Sequence, residues 1–183
     1  MTCIVGLVEG DRMFLGADSI ATADYDRHIR KDKKIFKKNG YLIGCAGSPR
    51  LGQVLHYGCE LEKAPETGDL MGFMVAPFVN GVRELFASAG CLEVQNELEG
   101  FQASILMVGV RGRFFAIYAD LQVEEVQTPY LCIGSGANEA YASLWTSAKT
   151  KTPPKTRVQW AIESSATFNA SVSPPVNIIS MNF

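Results

Sequence analysis

The sequence is poor in the residue patterns that bind metals or cross-link a chain. It has five cysteines, an odd number without a C-x-x-C pair, and two histidines, His28 and His56, that lie far apart. Zinc sites and disulfide frameworks need such residues in close, paired spacings. The sequence therefore predicts neither, and we expect no metal, no cofactor and the reducing compartment of a cytoplasm.

The net charge is also small, and long apolar runs are scarce. The formal net charge is -2 at pH 7, and basic residues are spread thinly outside residues 27–34. A chain with so weak a field has little attraction for nucleic acid or for a membrane surface. The apolar stretch at residues 3–8 is too short for a signal peptide or a membrane span. We expect a cytoplasmic protein that binds neither nucleic acid nor membrane.

The apolar pattern changes period several times along the chain, whose length suits one domain, residues 1–183. Strands are predicted at 2–8, 12–18, 34–36, 41–46, 103–110, 113–119, 122–126, 130–133 and 176–181, and helices at 49–61, 69–88, 138–148 and 155–168. Pro77 is expected to kink the second helix. The order of strands, two helices, strands, two helices and a strand predicts an α+β fold, a four-layer α/β/β/α sandwich of two antiparallel sheets.

The first two residues, Met1 and Thr2, offer a nucleophile at the chain's own end. Methionine aminopeptidase is expected to remove Met1 because the next side chain is small. Thr2 would then carry a hydroxyl nucleophile and an α-amine that titrates near pH 8 and can act as its general base. Many ordinary proteins also begin with Met-Thr, so this feature alone is weak evidence for catalysis.

Three segments in the right order strengthen that interpretation. Residues 16–22 (GADSIAT) closely resemble a segment of proteasome β-subunits, and residues 44–48 (GCAGS) resemble the segment before their first helix. Residues 133–136 (IGSG) are similar to a loop of both those subunits and the bacterial peptidase HslV. The chain thus resembles N-terminal-nucleophile (Ntn) hydrolases of the proteasome β-subunit and HslV family, which implies the Ntn hydrolase fold.

The resemblance implies a role for each matching residue. It assigns the nucleophile to Thr2, the charge partners to Asp18 and Lys34, the oxyanion donor to Gly47 and a contact with the terminal amine to Ser135. Adjacent strand residues face opposite sides, so only one of Lys33 and Lys34 can point at Thr2. The resemblance assigns Lys34, because its offset from Thr2 matches that of the family's lysine. The alternatives are a surface ion pair for Asp18 and Lys34 and a plain turn glycine at position 47.

The resemblance also implies a substrate pocket and contains one departure. The pocket for the residue before the scissile bond is assigned to Ala21, Thr22, Asp32, Phe36 and Cys45. Asp32 at its edge suggests tolerance of basic side chains. Asn169 stands where the family has an aspartate near the terminal amine, and an uncharged residue there would lower the pKa of that amine.

Three functions stay open at this point. The first is a threonine peptidase that cleaves a peptide or unfolded protein through an acyl-enzyme, in a homo-oligomeric ring with an ATPase unfoldase as a potential partner. The second is a non-proteolytic amidohydrolase or transpeptidase, and the third is a catalytically silent ring subunit. A phosphate-binding role for Gly134-Ser135-Gly136 is disfavoured because the spacing fits neither nucleotide fingerprint. Small and apolar residues at 140–145 are expected on an exposed helix face suited to ring contacts.

Overall fold

The computed structural model describes residues 2–23, 26–58, 60–95, 98–101 and 104–183. Its strands are β1 (Ile4–Glu9), β2 (Arg12–Ala17), β3 (Ile20–Ala23), β4 (Asp26–Ile29), β5 (Ile35–Lys38), β6 (Tyr41–Ala46), β7 (Leu92–Gln95), β8 (Leu98–Phe101), β9 (Ile105–Val110), β10 (Arg113–Ile117), β11 (Val123–Glu125), β12 (Tyr130–Ile133) and β13 (Asn177–Asn182). Its helices are α1 (Pro49–Tyr57), α2 (Leu70–Phe73), α3 (Val79–Ser88), α4 (Ala137–Ser147) and α5 (Pro154–Phe168), with a π-helical turn, Met74–Phe78, between α2 and α3.

Two antiparallel sheets form the centre of the molecule. One has the strand order β12-β1-β2-β13 and the other has the order β11-β10-β9-β6-β5. Apolar side chains of both sheets, including Leu15 and Phe114, pack together between them. The stretches that form these strands are rich in β-branched and aromatic residues, which suit a pleated surface buried on both sides.

Helices cover the outer face of each sheet. The helices α1 to α3 pack on the five-stranded sheet through residues such as Leu51 and Phe86. The helices α4 and α5 pack on the four-stranded sheet through residues such as Leu144 and Ile162. The layers therefore run helix, sheet, sheet, helix, and the predicted α/β/β/α sandwich is confirmed.

The helical stretch Leu70–Ser88 contains a local change of helix type. The carboxylate of Asp69 accepts a hydrogen bond from the Gly72 N–H and caps its start. Pro77 lies inside the π-helical turn, where the wider turn accommodates its missing N–H. The stretch is long and apolar enough to cross a membrane by length and composition. Its buried residues, among them Phe73 and Val82, pack in the core between helix and sheet, as in a core helix.

Two short hairpins lie outside the sequence prediction. The strands β3 and β4 pair within what the sequence suggests is a polar connection, and β7 pairs with β8 after α3. The strand β4 is exposed along its whole length, so it has no alternation of buried and exposed residues that a pattern could reveal. The first predicted helix ends at Tyr57 rather than near Leu61. The predicted start of a strand at residue 103 lies outside the described residues.

Candidate active site

Thr2 is buried two residues before the start of β1, beside the loop that follows β12. Its backbone N–H donates a hydrogen bond to Ser135 Oγ (3.2 Å), and the Ser135 hydroxyl donates to the Thr2 carbonyl (3.3 Å). The Gly136 N–H donates to the same carbonyl at 3.3 Å. Gly134 has φ of +95°, and a Cβ there would lie 2.8 Å from the Thr2 carbonyl carbon. Gly134 thus allows this loop to lie against Thr2.

A buried ion pair stands next to the Thr2 hydroxyl. Lys34 Nζ lies 2.9 Å and 3.0 Å from the two carboxylate oxygens of Asp18 and donates to Thr2 Oγ1 at 3.2 Å. The side chains of Lys34 and Asp18 are 4% and 0% exposed. Asp18 directly follows β2 and Lys34 directly precedes β5, so one residue from each sheet contributes to the pair. Lys33 is exposed, as expected for its neighbour in an extended chain.

The Asp18 carboxylate is fixed by backbone donors as well. The Cys3 N–H donates to one oxygen at 2.9 Å, and the Ile20 N–H donates to the other at 3.3 Å. A carboxylate held by an ammonium and by backbone N–H groups is stabilised in its charged form. The pair in this structure is therefore buried and hydrogen-bonded, unlike the surface ion pair that was the alternative interpretation.

Burial lowers the pKa of Lys34, while the charge of Asp18 and its hydrogen bond act in the opposite direction. The ammonium is disfavoured because it has lost most of its contact with water, and it is retained because a carboxylate lies at contact distance. Its proton is thus held less firmly than that of an ordinary lysine. A cation at 3.2 Å from Oγ1 can stabilise a developing alkoxide on Thr2.

Gly47 forms a tight turn between β6 and α1. Its φ is +125°, and a Cβ at this position would lie 2.7 Å from Ser104 Cα. The adjacent Ser48 N–H donates to Ser104 Oγ at 2.9 Å. Gly47 lines both cavities that include Thr2. The turn thus brings the Gly47 backbone to the same cavities as Thr2, and its N–H is a candidate oxyanion donor there.

Two cavities of unequal size open beside Thr2. The larger has a volume of about 630 Å³ and extends towards Ser135 and the chain segment 118–122. The smaller has about 30 Å³ and extends towards Asp32, Cys45 and His56. Of the residues predicted for the substrate pocket, those that line a cavity line the smaller one only.

The residues predicted for the substrate pocket do not all meet in the smaller cavity. Asp32 and Cys45 line it. Phe36 is buried and stacks on His56 with 4.3 Å between ring centroids. It therefore supports His56, which lines the smaller cavity, without lining that cavity itself. Ala21 pairs with His28 in the β3–β4 hairpin, and the Thr22 hydroxyl is buried without a hydrogen-bond partner among the described residues.

The charge of Asp32 is already compensated within the chain. Its carboxylate forms an ion pair with Arg30, and this partner lowers the pKa of Asp32. Lys33 and His56 also line the smaller cavity. The geometry therefore gives no support to the expectation that Asp32 makes this pocket tolerant of basic side chains.

Asn169 lies at the end of α5 and contacts the loop of Ser135 rather than Thr2. Its Nδ2 donates to the Ser135 carbonyl at 2.8 Å, and its Oδ1 accepts from the Ser171 N–H at 3.0 Å. Val172, three residues further along the chain, is buried in the core under α4 and α5. Asn169 thus positions the loop whose hydroxyl contacts the Thr2 nitrogen.

Sequence reasoning missed the residues that reach the site from a distance. Ser104 supports the Gly47 turn, and Tyr118, Asp120 and Gln122 form a wall of the larger cavity. Their approach depends on the pairing of β9 with β6 and on the course of the chain after β10. No local pattern marks these residues, because the contacts link parts of the chain far apart in sequence.

Comparison with known proteins depends on structure, because no protein-family model and no curated protein sequence matches the chain. The structure is similar to the BPH protein of Thiobacillus denitrificans in complex with epoxomicin, with a TM-score of 0.80, 16% identity and 98% of both chains covered. It is similar to HslV of Trypanosoma brucei, with a TM-score of 0.69, 15% identity and 99% of both chains covered.

The chain has the HslV fold. Anbu, described as an ancestral beta-subunit, from Yersinia bercovieri shares it, with a TM-score of 0.65 and 18% identity over 98% of this chain and 81% of that one. This is the fold that the three sequence segments predict, and the resemblance is confirmed at that level. In the HslV fold of this chain, the segments that carry the resemblance converge on Thr2.

Proposed function

We propose that this protein is a threonine peptidase whose nucleophile is the hydroxyl of Thr2 after removal of Met1. The observation that carries the proposal is the contact of Lys34 Nζ with Thr2 Oγ1 at 3.2 Å, with Asp18 on the other side of the same ammonium. A buried ion pair is costly to form, and stability alone does not explain its presence. Its location against a hydroxyl is explained by activation of that hydroxyl.

The reaction begins with attack of Thr2 Oγ1 on the carbonyl carbon of the scissile bond. The hydroxyl proton passes to the α-amine of Thr2, and a C–O bond forms while the carbonyl oxygen becomes an oxyanion. Lys34 lowers the energy of the developing alkoxide through its positive charge. The Gly47 N–H is the donor for the oxyanion, and removal of such a donor typically costs about 10²- to 10³-fold in rate.

The tetrahedral intermediate collapses when the C–N bond breaks. The leaving nitrogen takes the proton from the Thr2 ammonium and departs as an amine, and an ester remains on Thr2. Water then attacks that ester with the Thr2 amine as base, which releases the acid and restores the hydroxyl. Ser135, whose Oγ is 3.2 Å from the Thr2 nitrogen, orients this nitrogen through both half-reactions.

The test is labelling with epoxomicin, the compound in the Thiobacillus denitrificans complex, combined with intact-mass measurement. The wild-type protein is expected to lack Met1 and to gain the mass of one epoxomicin per chain. Thr2→Ala should fold, lose Met1 and take up no label, while Thr2→Ser should retain labelling because serine keeps both the hydroxyl and the amine.

Three outcomes would contradict the proposal in different ways. Met1 retained in an active protein would exclude the Thr2 amine as the base. A folded, processed protein that neither labels nor hydrolyses peptides would favour the silent ring subunit. Turnover of small amides without cleavage of peptides would favour the amidohydrolase.

A further inference from the structure

The two cavities at Thr2 differ in which catalytic groups they contain. Both include Thr2 and Gly47, so a carbonyl bound at the nucleophile lies where they meet. The larger cavity also includes Ser135. The smaller one includes Lys34. A peptide that crosses the site must therefore place one side of its scissile bond in each cavity.

Proton transfer determines which side of the scissile bond enters which cavity. The leaving nitrogen has to receive its proton from the Thr2 α-nitrogen and must come within hydrogen-bond distance of it. That nitrogen lies 3.2 Å from Ser135 Oγ, which is on the side of the larger cavity. The residue after the scissile bond consequently enters the larger cavity, and the residue before it faces the smaller one.

A well-ordered turn forms the wall of the larger cavity opposite Ser135. The Tyr118 N–H donates to the Gln122 carbonyl and the Leu121 N–H donates to the Tyr118 carbonyl, both at 2.9 Å. Leu121 has a positive φ of 68°, which closes the turn tightly. The Gln122 N–H donates to Asp120 Oδ1 at 3.1 Å and fixes the direction of that carboxylate.

The charge on this wall is negative and uncompensated in the cavity. Among the described residues that line the larger cavity, Asp120 alone has a side chain with a formal charge. The Tyr118 hydroxyl donates to Glu124, and this bond raises the pKa of Tyr118 to about 12, so the phenol stays neutral. Asp32 in the smaller cavity differs from Asp120, because the Asp32 carboxylate forms an ion pair with Arg30.

We infer that Asp120 selects substrates with lysine or arginine as the first residue after the scissile bond. The inference rests on the proposed peptidase function and adds the substrate class of its leaving side. The volume of about 630 Å³ is within the usual range of ligand pockets and leaves room for a long side chain. The aliphatic part of such a side chain would pack on Ala46 and Ile105, which line the same cavity.

The expected preference is moderate because Asp120 is exposed to solvent. Attraction of a basic residue and repulsion of an acidic one should together give about a two- to tenfold higher kcat/KM for lysine than for glutamate, as for exposed ion pairs. The preference should weaken as salt is raised, since ions screen exposed charges.

The experiment measures kcat/KM for internally quenched peptides that share one acyl side and differ only in the residue after the scissile bond, which is Lys, Ala or Glu. Asp120→Asn should reduce the Lys-to-Glu ratio to about one, and Asp120→Lys should bring it below one. Asp120→Glu should retain it. Asp11→Asn is the matched control, because Asp11 lies in the turn at the far end of the β1–β2 hairpin and should keep the wild-type ratio.

Each result has a distinct consequence. A ratio near one in the wild-type protein, or an unchanged ratio in folded Asp120→Asn and Asp120→Lys, overturns the inference and leaves the proposed function intact. Failure of the wild-type protein to cleave any peptide overturns the proposed function and this inference with it.

Discussion

At the scale of single residues, the site depends on the burial of one cation beside one hydroxyl. Lys34 has almost no exposed side-chain surface and is held by Asp18. The same contact would be worth little on the surface, where solvent screens the charges. Burial makes the ammonium effective as a partner of Thr2, and it also makes its proton easier to lose.

The first prediction separates Lys34 from its neighbour Lys33. Lys34→Ala should lower the rate of epoxomicin labelling about 10- to 1000-fold, because an opposite charge at contact shifts a pKa by about 1–3 units. Lys33→Ala should change the rate little, since Lys33 is exposed. Both variants are checked for folding by circular dichroism. A slow Lys33→Ala beside a fast Lys34→Ala would show that the assignment is off by one residue.

The second prediction concerns pH. The Thr2 amine must be neutral to act as a base, so the labelling rate should rise with pH through the range of an α-amine, near 8. Lys34 must be charged, so the rate should fall again as pH rises through its pKa, which burial places below the ordinary 10.5. Asp18→Asn removes the charge that supports the ammonium and should move the alkaline fall to lower pH. An alkaline limb at the same pH in both proteins would exclude Lys34 as its cause.

At the scale of secondary-structure elements, connections position the catalytic groups and strands support them. Thr2 precedes β1, Asp18 follows β2, Lys34 precedes β5 and Gly47 follows β6. The ends of strands from both sheets thus meet at one point, where backbone N–H groups that are not needed for strand pairing are available. The Gly47 turn is the most constrained of these connections.

The third prediction tests that turn. Gly47→Ala should destabilise the protein by about 2–4 kcal/mol, since it combines a left-handed backbone with a Cβ that overlaps Ser104. It should also lower labelling at least about 100-fold, because relief of the overlap moves the oxyanion donor. Urea unfolding and labelling rates measure the two effects. Gly40→Ala is the control: its φ is +84° and nothing lies within 4 Å of the added Cβ, so only about 1–2 kcal/mol and no activity should be lost. Equal losses in both variants would contradict a special role for the Gly47 turn.

The elements that the sequence predicts well are those with a buried apolar face. Both β6 and β12 have the predicted bounds, and α5 begins one residue before the predicted start, at Pro154. The strand β4 is exposed along its whole length and has no such face, and the β3–β4 hairpin escaped prediction because no periodic pattern marks this strand. Local patterns report burial, and the pairing of exposed strands depends on contacts that they do not record.

At the scale of the whole molecule, the candidate active site combines segments from nearly the full length of the chain. Short motifs located Asp18, Gly47 and Ser135, and the Met-Thr start and the spacing from it located Thr2 and Lys34. They could not locate Tyr118 or Asp120, whose approach to Thr2 follows from the packing of the two sheets. The residues located from the sequence predict the chemistry of the site. Tyr118 and Asp120, which line the larger cavity, would govern which substrates bind there.

The outer layer of helices corrects one expectation about assembly. Residues 140–145 were expected on an exposed face, but Ala140 and Leu144 are fully buried under α5. The large apolar side chains that these two helices expose are Trp145, Trp160 and Phe168. Large exposed aromatic residues are enriched at protein interfaces, so these side chains are the better candidates for contacts between copies.

The fourth prediction is that the protein assembles with itself. Native mass spectrometry should show a species that is an integral multiple of the chain mass of 19.9 kDa, less Met1. A closed ring gives one mass that does not change with concentration, whereas head-to-tail contacts that fail to close give a series of masses. Replacement of both Trp145 and Trp160 by Glu should weaken the assembly. A single-chain species at every concentration would contradict the prediction.

The position of the nucleophile has a practical consequence for handling the protein. Thr2 is buried, and its nitrogen points to Ser135. A purification tag fused ahead of Thr2 would keep this nitrogen as an amide, which cannot accept a proton, so the proposed mechanism predicts that such material is folded but inert. The other end of the chain is suited to a tag: Phe183 is exposed and its N–H bonds to Asp11, at the far end of the first hairpin. Any assay of this protein therefore has to begin with a native, processed N-terminus and an affinity handle after Phe183.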